Sequence, residues 1–368
     1  MTADTGTLTG SIRALLLFDV AEEIDLSHLH AVLGTDPARR EPAFRHQAPQ
    51  YVRFVRTPVV EHLGQVDQFE GTALLGRIRY FDYGVASVEL TRPFESDWHD
   101  LINLANQWIS SPHLEQRAQA LLRDHLKRFG GGLKKAYNEW ISEDYYIVQV
   151  DPIILPDGDH LSAAELARDR GAEVAQIVRG ETSELSPSER REVLQSSMSY
   201  YSSDLLVVGW VAAFIYDTTF ASAPTVEILE YANTQLLEFR YYDEVLTRVL
   251  TGVYKRLEQR HGLWSRWRLA GQAEDLNTIR LDYGELAERT ENAIKFLSDM
   301  FYARAYRLAA ARIGVNDYRS LVTGKLTTAR ELYESMVNEF YQGRTFILEL
   351  MVVIILVIEI VFLFRGQR

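Results

Sequence analysis

The apolar positions in the first part of the chain follow two alternating spacings, which predict short strands and helices in turn. Strand-like runs are found at 11–20, 51–60, 74–90 and 145–150. Helical spacing follows Asp25, a candidate N-cap, and covers residues 96–129, where Pro112 divides the pattern into two helices. We therefore predict an α+β fold with an N-terminal head, residues 1–155, built as a ferredoxin-like sandwich.

The middle of the chain changes character twice. Residues 156–195 are polar and rich in turn formers, and we interpret them as a connector containing one helix. Residues 196–270 return to apolar runs, with a predicted hairpin interrupted at Gly209 and a helix opened by Pro224. We expect this β-hairpin-plus-helix segment to complete the head.

Long helical patterns dominate the C-terminal part. Residues 271–344 predict an antiparallel coiled-coil stalk broken at Gly314, whose imperfect heptads leave pairing within the chain and between chains both open. Residues 345–364 form an apolar run of the length, roughly 20 residues, that crosses a ~30 Å hydrocarbon core. We predict one C-terminal transmembrane helix here, and the alternative is a buried core helix.

Two carboxylates interrupt this apolar run. Glu349 and Glu359 point about 80° apart on a straight helix, since each residue adds about 100°. One interpretation is helix association in a homo-oligomer, where a carboxylate is paired or protonated. The other is that both side chains reach towards the lipid headgroups.

Composition narrows the classes of function. With 47% hydrophobic residues, 24% charged residues and a net charge of -12, the chain is mostly globular and is not suited to coating nucleic acid. It contains no cysteine, which excludes disulfides, thiolate nucleophiles and iron–sulfur clusters. The first residues lack the basic and apolar regions of a signal peptide, so we expect the head in the cytoplasm and the tail in a bacterial inner membrane.

Catalytic motifs are missing from the sequence. We find no phosphate-binding loop, dinucleotide fingerprint, HExxH or GxSxG. Asp157, Asp159 and His160 have metal-binding side chains, but no further ligands follow at a recognisable spacing, and a solvated turn explains them better. We therefore predict no catalytic residue, no metal and no cofactor, and we disfavour an enzyme without excluding one.

Two stretches carry candidate partner contacts. In LLEFRYYDE, residues 236–244, Arg240, Tyr242 and Asp243 could contact a partner, or Arg240 could form an ordinary i,i+4 pair with Glu244. In RLEQRHGLWSRWR, residues 256–268, arginines alternate with tryptophans, as at lipid interfaces or on single-stranded RNA. The alternative is a helix elbow with inward-packed tryptophans. The candidate contacts in this second stretch are Arg266, Trp267 and Arg268.

The C-terminal half resembles a known family. The segments DLLVVGW (204–210), LLEFRYYDEVL (236–246) and ELMVVIILVIEI (349–360) are similar in order to the "required for meiotic nuclear division", or YagE-like, family of unknown function. The resemblance implies membrane association through the tail, large assemblies and, from the mitochondrial members, ribosome tethering. It carries over no catalytic residues.

Together these features predict a tail-anchored inner-membrane scaffold. It would homo-oligomerise and present its head to a ribosome, an RNA or an unknown protein, with the lipid bilayer as a further partner. The alternative function is a membrane-tethered enzyme that acts on nucleotides or RNA through an active site without a known motif.

Overall fold

One mixed sheet organises the chain. The computed structural model describes residues 7–34, 57–69, 71–155, 158–258, 281, 284, 300–332, 334 and 351–356. Its strands are β1 Leu8–Ile24, β2 Val59–Phe69, β3 Thr72–Tyr80, β4 Val85–Ser96, β5 Leu133–Val150, β6 Ser197–Met198, β7 Leu205–Val208 and β8 Ala212–Tyr216. They lie in the order β2-β3-β4-β1-β5-β8-β7-β6, and every neighbouring pair is antiparallel except the parallel pair β5 and β8.

Helices surround this sheet. They are α1 Leu26–Leu33, α2 Trp98–Ile109, α3 Pro112–Leu126, α4 Ala163–Asp169, α5 Gly171–Arg179, α6 Pro187–Leu194, α7 Thr219–Glu258 and α8 Met300–Ile313. Residues 315–332 and 351–356 are also helical.

The sheet is covered on both faces. On the core face, Ile12, Leu16 and Phe18 of β1 join a hydrophobic cluster with residues of α2 and α3, such as Trp108 and Leu122. The opposite face, here called the α7 face, lies beneath the first half of α7. Because both faces are buried, the run in β1 is apolar almost throughout instead of strictly alternating.

Several local predictions are confirmed. The Asp25 carboxylate accepts hydrogen bonds from the N–H groups of Ser27 and His28 and caps α1. Pro112 occupies the first position of α3, where its missing N–H costs nothing. The hairpin predicted around Gly209 forms between β7 and β8, and a turn at Gly84 divides the run at 74–90 into the paired strands β3 and β4.

The ferredoxin-like head is wrong. That sandwich places helices on one side of a small antiparallel sheet, whereas the described residues form one mixed sheet of eight strands covered on both faces. The physical reason is that the β7–β8 hairpin pairs in parallel with β5 and extends the sheet. The prediction of one helix in the connector, residues 156–195, is also wrong, because α4, α5 and α6 all lie there. Helix α5 buries Val174 and Ile177. Pro224 lies inside α7, which begins at Thr219.

The transmembrane helix is a further correction. Most of residues 345–364 lie outside the described residues, and the described part, 351–356, is helical. Among the helices that the structure describes, none has both the length and the apolar character to cross a membrane, which overturns the membrane and tail-anchor predictions.

The chain divides into two compact units. One comprises Met1–Tyr241 and Glu288–Tyr318, and the other comprises Tyr242–Ala287 and Arg319–Arg368, so α7 contributes to both. In the second unit, Lys325 Nζ lies 2.5 Å from Asp243 Oδ1. Most of the predicted stalk, residues 271–344, lies outside the described residues, and the coiled coil stays a prediction. Gly314 follows the end of α8 with φ 96°, as a helix-ending glycine does.

Candidate functional site

A cluster of charges lies buried on the α7 face of the sheet. Arg13 on β1, Arg77 and Arg79 on β3 and Glu89 on β4 all point to this face, because side chains two residues apart share a face and Arg77 stands opposite Glu89. Arg13, Arg79 and Glu89 are each less than 9% exposed. Charges are rarely buried to this extent without partners, so their partners define the site.

The partners come from α7. Arg79 Nη1 lies 2.7 Å from the Glu230 carboxylate, and Arg79 Nη2 donates to Glu227 Oε1 at 3.0 Å. Arg77 forms an ion pair with Glu89 and lies 3.8 Å from Glu230. The three arginines therefore face three glutamates, and the cluster is neutral overall.

Burial and neighbouring charges shift the pKa values of these groups in opposite directions. Burial by itself raises the pKa of Glu89, but the guanidinium groups of Arg77 and Arg13 outweigh it and the pKa is lowered. Burial lowers the pKa of Arg13, although the charge of Glu89 partly offsets this effect. Glu89 is therefore held ionised by the arginines around it.

Several buried atoms of this cluster have no hydrogen-bond partner among the described residues. They are Nε of Arg13, Arg77 and Arg79, Oγ of Ser87 and both carboxylate oxygens of Glu230. The Glu230 carboxylate forms an ion pair with Arg79, but the N–H groups of Arg79 are poorly aligned for a hydrogen bond to it. Such atoms are normally satisfied by water, so α7 meets the sheet through a polar layer.

A second polar group lies further along the same face. Asp19 of β1 is 2% exposed, and burial raises its pKa to about 8. Tyr137 and Tyr241 stack at 5.4 Å between ring centroids. The pKa of Tyr137 is raised by burial, by its hydrogen bond with Tyr241 and by the charges of Asp19 and Glu238. Tyr137 lies where the pairing of β5 with β1 is irregular, between Ala136 and Ile141.

This arrangement suits attachment of α7 better than turnover. The charged groups bind one another across an interface, and α7 carries them as a stripe. In the described part of the chain, no group of His, Cys, Asp or Glu side chains is placed to hold a metal ion. The stripe comprises Glu227, Glu230, Thr234, Glu238 and Tyr241, spaced three or four apart.

A surface loop between β6 and β7 exposes two aromatic side chains. Residues 199–204, here called the tyrosine loop, join β6 to β7 and expose Tyr200 by 44% and Tyr201 by 48%. The two rings meet edge to face at 4.7 Å, and Tyr200 meets Phe301 of α8 at 5.3 Å. The loop therefore presents a continuous aromatic surface.

Two of the predicted contact residues, Arg240 and Asp243, form ion pairs within the chain. Arg240 pairs with Glu143 of β5 instead of Glu244, which pairs with Arg248 at 2.8 Å. Asp243 binds Lys325, and Tyr242 is half-buried. Outside the described residues lie Arg266, Trp267, Arg268, Glu349 and Glu359.

Sequence reasoning missed the buried cluster, although a signal was present. Arg77 and Arg79 alternate with apolar residues in β3, and Ser87 and Glu89 do the same in β4. Alternation of this kind inside apolar strands indicates a second, polar face, but it does not say what covers that face. Asp159 and His160 lie in a turn after β5, and Asp157 lies outside the described residues.

The comparisons with known proteins now place the chain. The family model described as "Uncharacterized protein MJ0711, N-terminal domain" matches residues 9–222. The chain belongs to this family. The match runs from β1 to the start of α7, so it includes Arg13, Arg77 and Glu89 but not their partners on α7.

A relative in Methanocaldococcus jannaschii is described in the same terms. It is "Uncharacterized protein MJ0711", 23% identical over 191 residues, which is 51% of this chain and 58% of the relative. The chain thus spans less than two thirds of that relative's length, and no solved structure matches the chain. The predicted resemblance is confirmed only as membership of a family of unknown function, without a link to meiotic nuclear division.

Proposed function

We propose that the protein is a non-catalytic scaffold that self-associates through its tyrosine loop and presents its sheet unit to a partner. The observation that carries this proposal is the pair of exposed tyrosines, Tyr200 and Tyr201, on a loop that is firmly held. Tyrosine is enriched in protein interfaces and at their energetic centres.

The loop is fixed from beneath by Asp204. Its carboxylate accepts hydrogen bonds from the backbone N–H of Tyr200 at 2.7 Å and of Tyr201 at 3.1 Å. The carbonyl of Ser202 accepts a further bond from Ala163 N at 2.7 Å, which ties the loop to α4. Such a loop loses little entropy on binding, and this preorganisation favours affinity.

The charges of the sheet support a scaffold in a different way. Glu89, Arg79 and Glu230 are buried and face one another, so their chemistry is used to hold α7. In this proposal the interior ion pairs keep the unit in one shape, while the tyrosine loop makes the contact with a second copy.

The test is the mass of the full chain in solution as a function of concentration, measured by sedimentation equilibrium. We expect a reversible oligomer that the double change Tyr200→Ser and Tyr201→Ser shifts towards the monomer. Tyr254→Ser is the matched control, because Tyr254 is also an exposed tyrosine, 46% accessible, but lies outside the loop. A monomer at every concentration, or an equal effect of the control, contradicts the proposal.

The proposal also includes a partner other than a second copy of the chain. The resemblance to the meiotic nuclear division family suggests a ribosome, and a cytoplasmic location is expected with it. Co-sedimentation of the full chain with purified ribosomes at two salt concentrations tests this step. The alternative enzyme has its support in the β-rich core and in the alternation of arginines and tryptophans at 256–268, whose side-chain contacts lie outside the described residues.

A further inference from the structure

A cleft opens beside the end of β4, on the core face of the sheet. Arg92, Phe94 and Ser96 of β4 stand opposite Ile12, Gly10 and Leu8 of β1. Directly opposite residues share a face, and Ile12 and Leu8 belong to the hydrophobic core. The last inward positions of β4 therefore continue the core face, but they change from apolar to mostly polar.

The second wall of the cleft is a stripe of α2. The Asp97 carboxylate accepts the N–H of Asp100 and starts the helix directly after β4. Asp100, Asn103 and Gln107 follow at spacings of three and four, so they lie on one side of α2. Trp98, Leu101 and Trp108 occupy the buried side.

The cleft has the size of a small-molecule site. It is an open cleft of about 640 Å³, lined by β4, by this polar stripe and by Thr72 of β3. Ser96 Oγ is a buried atom of this lining without a hydrogen-bond partner among the described residues. A hydroxyl in this state is completed by a bound molecule or by water.

We propose that this cleft binds an uncharged polyhydroxylated small molecule, such as a sugar or a polyol. The lining offers amide groups that both donate and accept, in Asn103 and Gln107, beside the Ser96 hydroxyl, whereas Asn106 Nδ2 already donates to Gly180 O at 2.6 Å. Ligand hydroxyls also donate and accept, and they fit such a surface. Drug-like apolar ligands need a more hydrophobic lining than this one.

Charge distinguishes this ligand class from phosphorylated molecules. Among the side chains that face the cleft, the carboxylate of Asp100 offsets the guanidinium of Arg92, since Glu95 alternates with the inward positions Phe94 and Ser96. A phosphate group would therefore find no excess positive charge to bind it. The ring of Phe94 lines the cleft and supplies the apolar contact that one side of a sugar ring requires. The ring is held in place by close packing over Gly10, where an added Cβ would lie 3.0 Å from Phe94 Cζ.

The test is saturation-transfer NMR on the full chain with D-glucose and myo-inositol as probes and glucose 6-phosphate as the charged comparison. We expect saturable transfer to the neutral probes and weaker binding of the phosphate. Gln107→Ala should weaken binding of the neutral probes about two- to tenfold, the effect of one neutral hydrogen bond. Asn103→Ala gives a second measure at a less exposed position.

Gln116→Ala on α3 is the matched control, because Gln116 is an exposed glutamine outside the cleft lining. The thermal midpoints of the variants show that each remains folded. Transfer that is unaffected by both cleft variants, or that falls equally in the control, overturns the proposal. Absence of saturable binding of either neutral probe up to its solubility limit also overturns it.

Discussion

The Arg79 guanidinium on β3 lies 2.7 Å from the Glu230 carboxylate on α7, and both side chains are more than nine-tenths buried. Burying two charges costs several kcal/mol each, and only mutual pairing offsets this. The pair therefore specifies where α7 lies on the sheet more than it adds to stability. A shift of α7 by one residue would remove Glu230 from Arg79 and leave both charges uncompensated.

Removing one member of this pair should destabilise the fold strongly. We expect Glu230→Ala to lower the free energy of unfolding by about 3 kcal/mol, near the lower end of the range for broken buried pairs. The loss stays at that end because Glu227, 3.0 Å from Arg79, keeps part of the compensation. Urea denaturation followed by circular dichroism measures the change.

The exposed pair Arg248 and Glu244, which lie 2.8 Å apart, provides the comparison. Glu244→Ala should cost about 0.5 kcal/mol, as exposed i,i+4 pairs do. The double change Arg79→Met with Glu230→Leu should recover most of the lost stability, because the cluster stays neutral and only the partly exposed Glu227 loses its ion-pair partner. Equal losses for Glu230→Ala and Glu244→Ala would show that the buried pair has no special role.

Local signals predicted much of the fold correctly and the global arrangement incorrectly. Asp25, Pro112 and Gly314 act through bonds within a few residues, so their effects are visible in the sequence. The parallel pairing of β5 with β8 joins Val150 to Tyr216 across 66 positions, and no local pattern specifies such a partner. The ferredoxin-like head was wrong for this reason.

The buried cluster was missed because the sequence was interpreted one element at a time. Arg77 and Arg79 in an apolar strand suggest a solvated face, and Glu230 on a helix suggests a solvated side. Only the packing of α7 on the sheet turns these apparent surface charges into an interior network. Complementary charge on two separate amphipathic elements is the signal that could have indicated it.

Asp19 should make stability depend on pH. Its pKa is about 8 in the folded protein, against 3.8 for the ordinary group, because burial penalises the charged form. Between these values the folded state holds a proton that the unfolded state has released, so raising the pH favours unfolding. This contribution is complete below about pH 4 and is lost progressively towards about pH 8.

Asp19→Asn removes this titration while keeping the size of the side chain. The free energy of unfolding of the variant relative to the original protein should rise from pH 4 to pH 8 and then level off. Urea denaturation at several pH values measures the difference, in which other titrating groups cancel. Two curves that stay parallel across this range would contradict the assignment.

Gly84 should tolerate no side chain. It has φ 98° in the β3–β4 turn, and an added Cβ would lie 1.8 Å from the carbonyl oxygen of Ala21. Gly71 is the matched control, with φ 77° and no atom within 4 Å of the added carbon. Gly71→Ala should cost about 1–2 kcal/mol for the backbone conformation alone. Gly84→Ala should cost clearly more, measured by thermal unfolding, and equal costs would rule out the steric argument.

The tyrosine loop should depend on both oxygens of Asp204. Oδ1 accepts the N–H of Tyr200 and Oδ2 accepts that of Tyr201, whereas an asparagine offers one acceptor and turns its NH₂ towards the other N–H. We expect Asp204→Asn to speed amide hydrogen exchange at both tyrosines. It should also weaken self-association, although every aromatic side chain is kept.

Asp25 offers a stringent control for this change. Its single oxygen Oδ1 accepts the N–H of both Ser27 and His28, so Asp25→Asn keeps both bonds and asparagine is an equally good N-cap. Exchange at those two amides should therefore change little. If Asp204→Asn loosens the loop but leaves the oligomer intact, the tyrosines do not need to be preorganised, and contact area alone has to explain the association. If both change together, the rigidity of the loop is part of the binding energy.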